Sequence, residues 1–546
     1  MKVLLKRLTL GSAFCWLVPL LTACGPSQVP SGLVYCSEGN PESFNPQLVT
    51  SGTTVDATSQ LYDGLVNYEA KSGEVMPALA SDWTISNDER VYTFTLRTGV
   101  HFHHSKHFSP TRNFNADDVL FSFNRIIDTS NPYHHIAKTG YPFFESIDFA
   151  QQIEHIEKID DYHVAFHLKR KDASFLSNLA TGFSVILSKE YSDQLIKAGE
   201  PELLDKYAIG TGPFRLVDYV KNDFIRFYRN HHYWRSTPEV EQLVFDITPK
   251  STTRLAKLIT GDCNISALPK AGELQVVIDK ADLEVDSLPG FNVAFWAFNT
   301  ERIPFNDVRV RRALAYAVDK DNILRAVYQK TAVEAKGVLA PLSWAYSPNE
   351  SLLEYNPEKA KALLKEAGIN DLTIDIWAMP VARIYNPNPH KTAELIQADL
   401  ANIGVKVNIV TYDWSVFNQK LSKQSYDSVL IGWNADNSDP DNFFTPILSC
   451  ASASTNSNRS RWCNLEFDQI LDKAKSTTKR RERTLLYQQA EKMIAEQVPL
   501  LPLAHATRLV VKQKSVSQSK LTPFGGISFT NTTKLSQQAP AFKEAN

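Results

Sequence analysis

Three aspartates, Asp436, Asp439 and Asp441, fall within the stretch IGWNADNSDPDNFF (431–444). They follow an apolar run, YDSVLIGW, that reads as a buried strand, and Trp433 and paired phenylalanines stand beside them. A carboxylate just past the carboxyl end of a buried strand is where open α/β sheets place ligand contacts. Asn, Asp and Pro also populate turns for backbone reasons alone. The loop therefore has two readings, a turn or a ligand contact. Arg383, in the loop MPVARIYNPNPH, is a second candidate, since it leaves another strand. Taken alone it reads as a solvated loop residue. Thr50, Ser51 and Gly52, in a Ser/Gly/Thr loop, offer hydroxyl and backbone groups to a ligand or simply to solvent.

Other chemistry is not encoded. The sequence contains no GxSxG elbow, no HExxH, no phosphate-binding Walker loop and no GxGxxG following a strand. Ser476-Thr477-Thr478-Lys479 matches SxxK, but it stands in a charged, linker-like stretch without companion SDN and KTG motifs. The cluster HFHHSKH (101–107), followed by His134 and His135, fits no zinc-ligand template. It predicts a loop with exposed histidines that retains some affinity for metal or haem. No catalytic constellation and no metal site is expected.

The elements that must position these residues are legible from periodicity. LTIDIWA, KTAELIQADLANIG and VKVNIV form strand, helix and strand at a length that makes a βαβ unit with parallel strands. If YDSVLIGW joins that sheet in parallel, Arg383 and Asp436 leave along one rim. YNPEKAKALLKEAG has Asn356 to cap a helix, Pro357 in its first turn and Gly368 after its last. Residues 306–330 read as one long helix capped by Asn306, and Asn115 caps another over ADDVLFSFNRII. WTISNDERVYTFTLRTGVHFH alternates as two strands around an Asn-Asp turn. The glycines of IGTGPF mark a turn where backbone passes closely. The pattern changes character near Pro289.

The chain opens with Lys2, Lys6 and Arg7, an apolar stretch from Leu8 to Ala23, and then Cys24. That is a secretory signal, not a span, and its Leu-Thr-Ala-Cys ending resembles the bacterial lipobox, in which the cysteine is lipidated. Residues 1–23 thus form the signal and 24–32 a tether. Without the signal the formal charge moves from −2 to −5, since three positive charges leave with it. A mildly acidic chain argues against a nucleic-acid binder. No later stretch reaches the roughly 18 uncharged apolar residues of a membrane helix. Beyond Cys15 and Cys24, four cysteines remain: Cys36, Cys263, Cys450 and Cys463. In an exported chain they read as disulfides with three possible pairings. Short-range closure favours Cys450–Cys463, which leaves Cys36–Cys263.

With these residues in view, the chain resembles the extracytoplasmic solute-binding proteins of peptide ABC importers. The likeness runs through LVYCSEGNPESFNPQL, TLRTGVHFH, FNADDVLFSFNR, IGTGPF, VRVRRALAYAVDKDNILRAVY, YNPEKAKALLKEAG and GWNADNSDPDNFF followed by LSC. It is similar to the dipeptide-binding, haem/glutathione-binding and Sap-type antimicrobial-peptide-binding branches. The resemblance implies an α/β, two-lobed periplasmic binding protein of type II, in the large peptide-binding subclass, with a hinge and mixed sheets. It implies lobe one at 33–288 with 507–546, lobe two at 289–506, and disulfides Cys36–Cys263 and Cys450–Cys463. It further implies that Asp436 holds a peptide's ammonium and Arg383 its carboxylate, with Trp433, Tyr385, Thr50, Ser51 and Gly52 lining the site. The expected protein is a non-enzymatic monomer, lipid-anchored in the periplasm, without a cofactor. It would hand short peptides to an inner-membrane permease and its ATPase. Capture of haem, glutathione or antimicrobial peptides is the alternative in the same class, and a signalling or chaperone-like binding role the alternative in another.

Overall fold

The computed structural model describes residues 32–49, 51–69, 73–138, 140–348, 353–454 and 457–535. The signal segment, Cys24, the tether through residue 31, Thr50 and residues 536–546 lie outside the described residues.

The fold is two-lobed and mixed α/β, and a twelve-stranded sheet runs through it. One half holds Val405–Val410, Leu372–Ala378, Ser428–Asn434 and Asn292–Phe298 in that order; the other holds Ile265–Ala267, Gly32–Ser37, Gln242–Ile247, Phe224–Arg229 and Phe214–Val220. The long strand Leu500–Gln513 joins them. Its start pairs with Asn292–Phe298 and its end with both Leu283–Pro289 and Ile265–Ala267. A separate antiparallel sheet of four strands, Ala80–Ile85, Val91–Leu96, His163–Leu168 and Ile153–Asp160, packs into the first half.

The expected βαβ unit is present. Leu372–Ala378 and Val405–Val410 run parallel around the helix Pro389–Ala401. Leu372–Ala378 is also parallel to Ser428–Asn434, with Ala378 opposite Leu430. The loops that follow these two strands therefore leave the same edge of the sheet. Asn292–Phe298 lies between two apolar layers. Ala294, Trp296 and Phe298 join one cluster and Val293, Phe295 and Ala297 the other. Burial on both faces is why this strand reads as a continuous apolar run and not an alternation.

The first core draws on residues 33–267 together with Val510, Val516, Ile527 and Phe529. The other two large clusters draw on residues 291–506 together with Phe524. Between them the chain crosses at Gly290–Phe291 and again near Ala506. There the Asn292 side chain imitates backbone, donating to the Ala506 carbonyl and accepting from its N–H, each at 2.8 Å. A Cβ at Gly290 would run into Asn292 and the Ala506 carbonyl, so the crossing demands glycine. Cys36 pairs with Cys263, and Cys450 with Cys463.

One element departs from the sequence reading. The helix expected over 306–330 is Val308–Tyr316, capped by Asp307, followed by a fresh start at Lys320–Ile323 and a wide turn over Leu324–Tyr328. Asp319 causes the break, because its carboxylate accepts the Asn322 N–H at 2.9 Å and caps the second start. Asn115 and Asn356 cap their helices as expected. A Cβ at Gly210 or Gly212 would collide with the Leu61 backbone, which is the close passage that IGTGPF signals.

Candidate functional site

The loop after Ser428–Asn434 is held from within. The Asn442 side-chain oxygen accepts both the Asp436 N–H at 2.9 Å and the Trp433 indole N–H at 3.1 Å. The Ala435 N–H donates to the Phe291 carbonyl at 2.7 Å. These bonds fix where the Asp436 carboxylate stands. The loop after Leu372–Ala378 bends on itself through mutual backbone bonds between Arg383 and Asn386, at 2.9 and 3.1 Å. Asn388 closes it by capping the helix that follows, and the Tyr328 hydroxyl holds the Tyr385 carbonyl at 2.8 Å. The Arg383 guanidinium lies over the Trp414 ring, 4.4 Å from its centroid. Gly432 is required here, since a Cβ would enter the Tyr385 ring.

Both loops face a cavity of about 380 Å³ between the first core and the sheet of the second. Ser51, Gly52, Arg383, Tyr385, Trp433 and Asp436 all line it; Thr50 is outside the described residues. The volume falls in the ~300–1,000 Å³ range of small-ligand sites. Ser51 is committed to its own helix, accepting from the Thr54 N–H and donating to the Thr54 hydroxyl. It therefore offers a ligand less than its exposure in the loop suggested.

The electrostatics separate two poles. Asp436 is half-buried at the cavity wall yet deep within the protein. Burial pushes its carboxyl up to about 7, opposed only by Asn442. No cation among the described residues pairs with it. Arg383 likewise meets no carboxylate among the described residues. A buried charge left unpaired is costly, so a ligand bearing an ammonium and a carboxylate complements both groups at once.

The lining also contains residues that the sequence did not single out. Burial raises the Asp56 carboxyl, helped by the charge of Glu38 and opposed by Arg508. Asp56 accepts from the Tyr35 hydroxyl at 2.9 Å. Arg508 turns to the carbonyls of Thr522 and Gly526. One Glu38 oxygen takes the Thr53 hydroxyl at 2.6 Å, and the other is buried without a hydrogen-bond partner. An arginine inside the apolar run PLLPLAHATRLVV was a signal available for Arg508. Arg459, between Cys450 and Cys463, carried none.

A model of the bacterial extracellular solute-binding proteins, family 5, middle region, matches residues 74–455. The chain belongs to this family. Among family relatives, the dipeptide-binding protein of Escherichia coli K12 is 44% identical over 503 residues, covering 92% of this chain and 94% of that one. Heme-binding protein A of Haemophilus influenzae is 43% identical and covers 91% of each chain. The crystal structure of the dipeptide-binding protein from Pseudoalteromonas sp. SM9913 in complex with Met-Leu superposes with a TM-score of 0.89 at 46% identity. That match covers 92% of this chain and all of the other. These relatives are named as binding proteins, and among the described residues no helix is long and apolar enough to cross a membrane.

The remaining sequence candidates have structural places. Asp439 caps the turn Pro440–Phe443 and pairs with the buried Arg483 at 2.7 Å. Asp441 accepts the Thr445 hydroxyl at 2.8 Å, and burial raises its carboxyl to about 6. His103 is buried against the Gly212 carbonyl, and burial lowers its imidazole to about 4. His107 stacks on Tyr207. Among the described residues no histidine lines the cavity. Among the described residues, the group that gathers metal-ligating atoms is instead His155, Glu157 and His167, within 4.8 Å of one another on the four-stranded sheet. Cross-strand pairing, invisible in sequence, brings them together.

Proposed function

We propose that this protein is the substrate-binding lipoprotein of an ABC importer. It is exported, anchored through Cys24 in the periplasm, and captures short peptides as a monomer. It releases them to an inner-membrane permease and its ATPase subunits. Residues 33–288 with 507–546 form one lobe and 289–506 the other, and closure of the two over the ligand is hinge motion about the crossing at Gly290 and Ala506.

The observation that carries this reading is one cavity bordered by a half-buried acid and an arginine, neither with an ion-pair partner among the described residues. Asp436 takes the peptide ammonium and Arg383 the terminal carboxylate. Trp433 and Tyr385 form the wall between, and Ser51 and Gly52 the edge from the first lobe. Both termini become desolvated on closure and need an opposite charge with hydrogen bonds. Relatives named for dipeptide binding, one of them solved with Met-Leu, support the same ligand class.

Calorimetry with a panel of dipeptides tests the reading. We expect nanomolar-to-micromolar binding for peptides with both termini free. Arg383→Ala loses at least about tenfold for free-carboxylate peptides and little for amidated ones; equal losses for both reject its role. The similarity to heme-binding protein A supports haem as a second ligand. A Soret shift on adding haem, with competition by dipeptide, places haem in the same cavity; no shift removes it.

A further inference from the structure

A second cavity, of about 370 Å³, opens beside the first and shares Ile431, Gly432, Trp433, Asp436 and Arg459 with it. Its far wall comes from Phe143, Glu145 and Ser146 of the first lobe, and Ser457 completes it. Arg383 borders the first cavity alone, whereas Arg459 borders both. Of the three arginines that line the first cavity, Arg383, Arg459 and Arg508, only Arg459 also lines the second.

Arg459 has no acid of its own. No carboxylate of the described residues lies within ion-pair distance of its guanidinium, and burial lowers its pKa against only the phenols of Tyr426 and Tyr385. Glu145, the acid on the opposite wall, is turned to its own chain and accepts the Tyr141 N–H at 2.9 Å. A cation half-buried at a cavity wall without an anion is complemented by a ligand that supplies one. The chamber adjoins the pole assigned to the ammonium. A peptide anchored there carries its first side chain on the neighbouring carbon.

We propose that this second chamber is a subsite for an acidic side chain at the first position of the bound peptide, read by Arg459. The proposal rests on the peptide reading above. Glutamyl and aspartyl peptides are then the favoured ligands, because their carboxylate gains a planar, bidentate partner that a neutral side chain does not use.

The test compares Glu-Leu, Gln-Leu, Leu-Glu and Ala-Leu by calorimetry on wild type, Arg459→Gln and Arg459→Lys. Gln is nearly isosteric with Glu, so their ratio isolates the charge. We expect wild type to bind Glu-Leu at least about tenfold more tightly than Gln-Leu, with no such gain for Leu-Glu. Arg459→Gln brings the Glu/Gln ratio to within about twofold, a ratio taken within the one variant and so independent of any general change in its affinity for dipeptides. Arg459→Lys keeps part of the preference. Tyr426 donates to the Arg459 backbone carbonyl at 2.9 Å, a contact that does not depend on the side chain replaced. A wild-type ratio near one, or a preference that survives Arg459→Gln, overturns the subsite while Ala-Leu binding leaves the peptide reading intact. Failure of every dipeptide to bind overturns both together.

Discussion

The side-chain amide of Asn437 donates to the side-chain oxygen of Asn178 at 3.1 Å, and both residues are buried. Asn437 adjoins Asp436, and Asn178 lies in the helix Phe175–Leu179 of the first core. This bond ties the loop carrying the acid to the first core, as does the Ser438 hydroxyl, which donates to the Gly73 carbonyl. Under the hinge motion proposed above, separating the lobes breaks it.

Asn178→Ala should accordingly weaken ligand binding more than it weakens folding. A buried amide left without its partner costs about 1–3 kcal/mol, and that cost falls on the closed form alone. We expect Met-Leu affinity to drop about five- to a hundredfold by calorimetry with a nearly unchanged urea midpoint. A matched loss in stability would mean that the contact belongs to the fold and not to closure.

The pH dependence follows from Asp436. Its carboxyl in the empty protein titrates at about 7, far above the ordinary Asp value of about 3.9. The folded empty protein therefore holds a proton that the unfolded chain has lost, so this group lowers stability as pH rises from about 4 to about 7. Binding an ammonium requires the ionised form, while peptide amines stay charged below about 7.7. Affinity for Met-Leu should fall up to about tenfold per pH unit below 7. Asp436→Asn should remove that slope, and calorimetry between pH 5.5 and 7.5 reads both.

Asp439 and Arg483 make the complementary case, a buried pair that belongs to the scaffold. The Arg483 guanidinium reaches Asp439 at 2.7 Å and the Tyr487 hydroxyl at 2.8 Å, with nearly everything buried. Removing one partner strands the other and typically costs about 3–5 kcal/mol. Asp439→Ala should lower the urea stability by that order, and Asp439→Ala with Arg483→Met should recover part of the loss. A larger loss in the double variant would contradict the pairing.

These two aspartates, three residues apart, show what the sequence could and could not carry. Caps and turns depend on neighbours a few residues away, so Asn115, Asn356 and the Asp439 turn were legible. The parallel direction of Leu372–Ala378 and Val405–Val410 was legible too, because βαβ spacing fixes it; that Ser428–Asn434 also runs parallel, which puts Arg383 and Asp436 on one rim, came from the structure. Pairing across long separations was not legible. Nothing local distinguishes Asp439, neutralised by Arg483 44 residues on, from Asp436, which meets no cation among the described residues. Arg459 and Glu38 stayed hidden for the same reason. Asp319 misled in the opposite sense, since a strong helical period ran straight through a residue that restarts the helix.

The pairing of Asp436 with a ligand ammonium is tested most directly by a cycle of two changes, Asp436→Asn in the protein and N-acetylation of Met-Leu. Breaking a buried charge pair costs about 2–5 kcal/mol, so acetylation should weaken binding to wild type at least about thirtyfold. In Asp436→Asn the same acetylation should cost no more than about threefold. Equal affinity of wild type for the free and the acetylated peptide, or a full acetylation penalty persisting in Asp436→Asn, would contradict it.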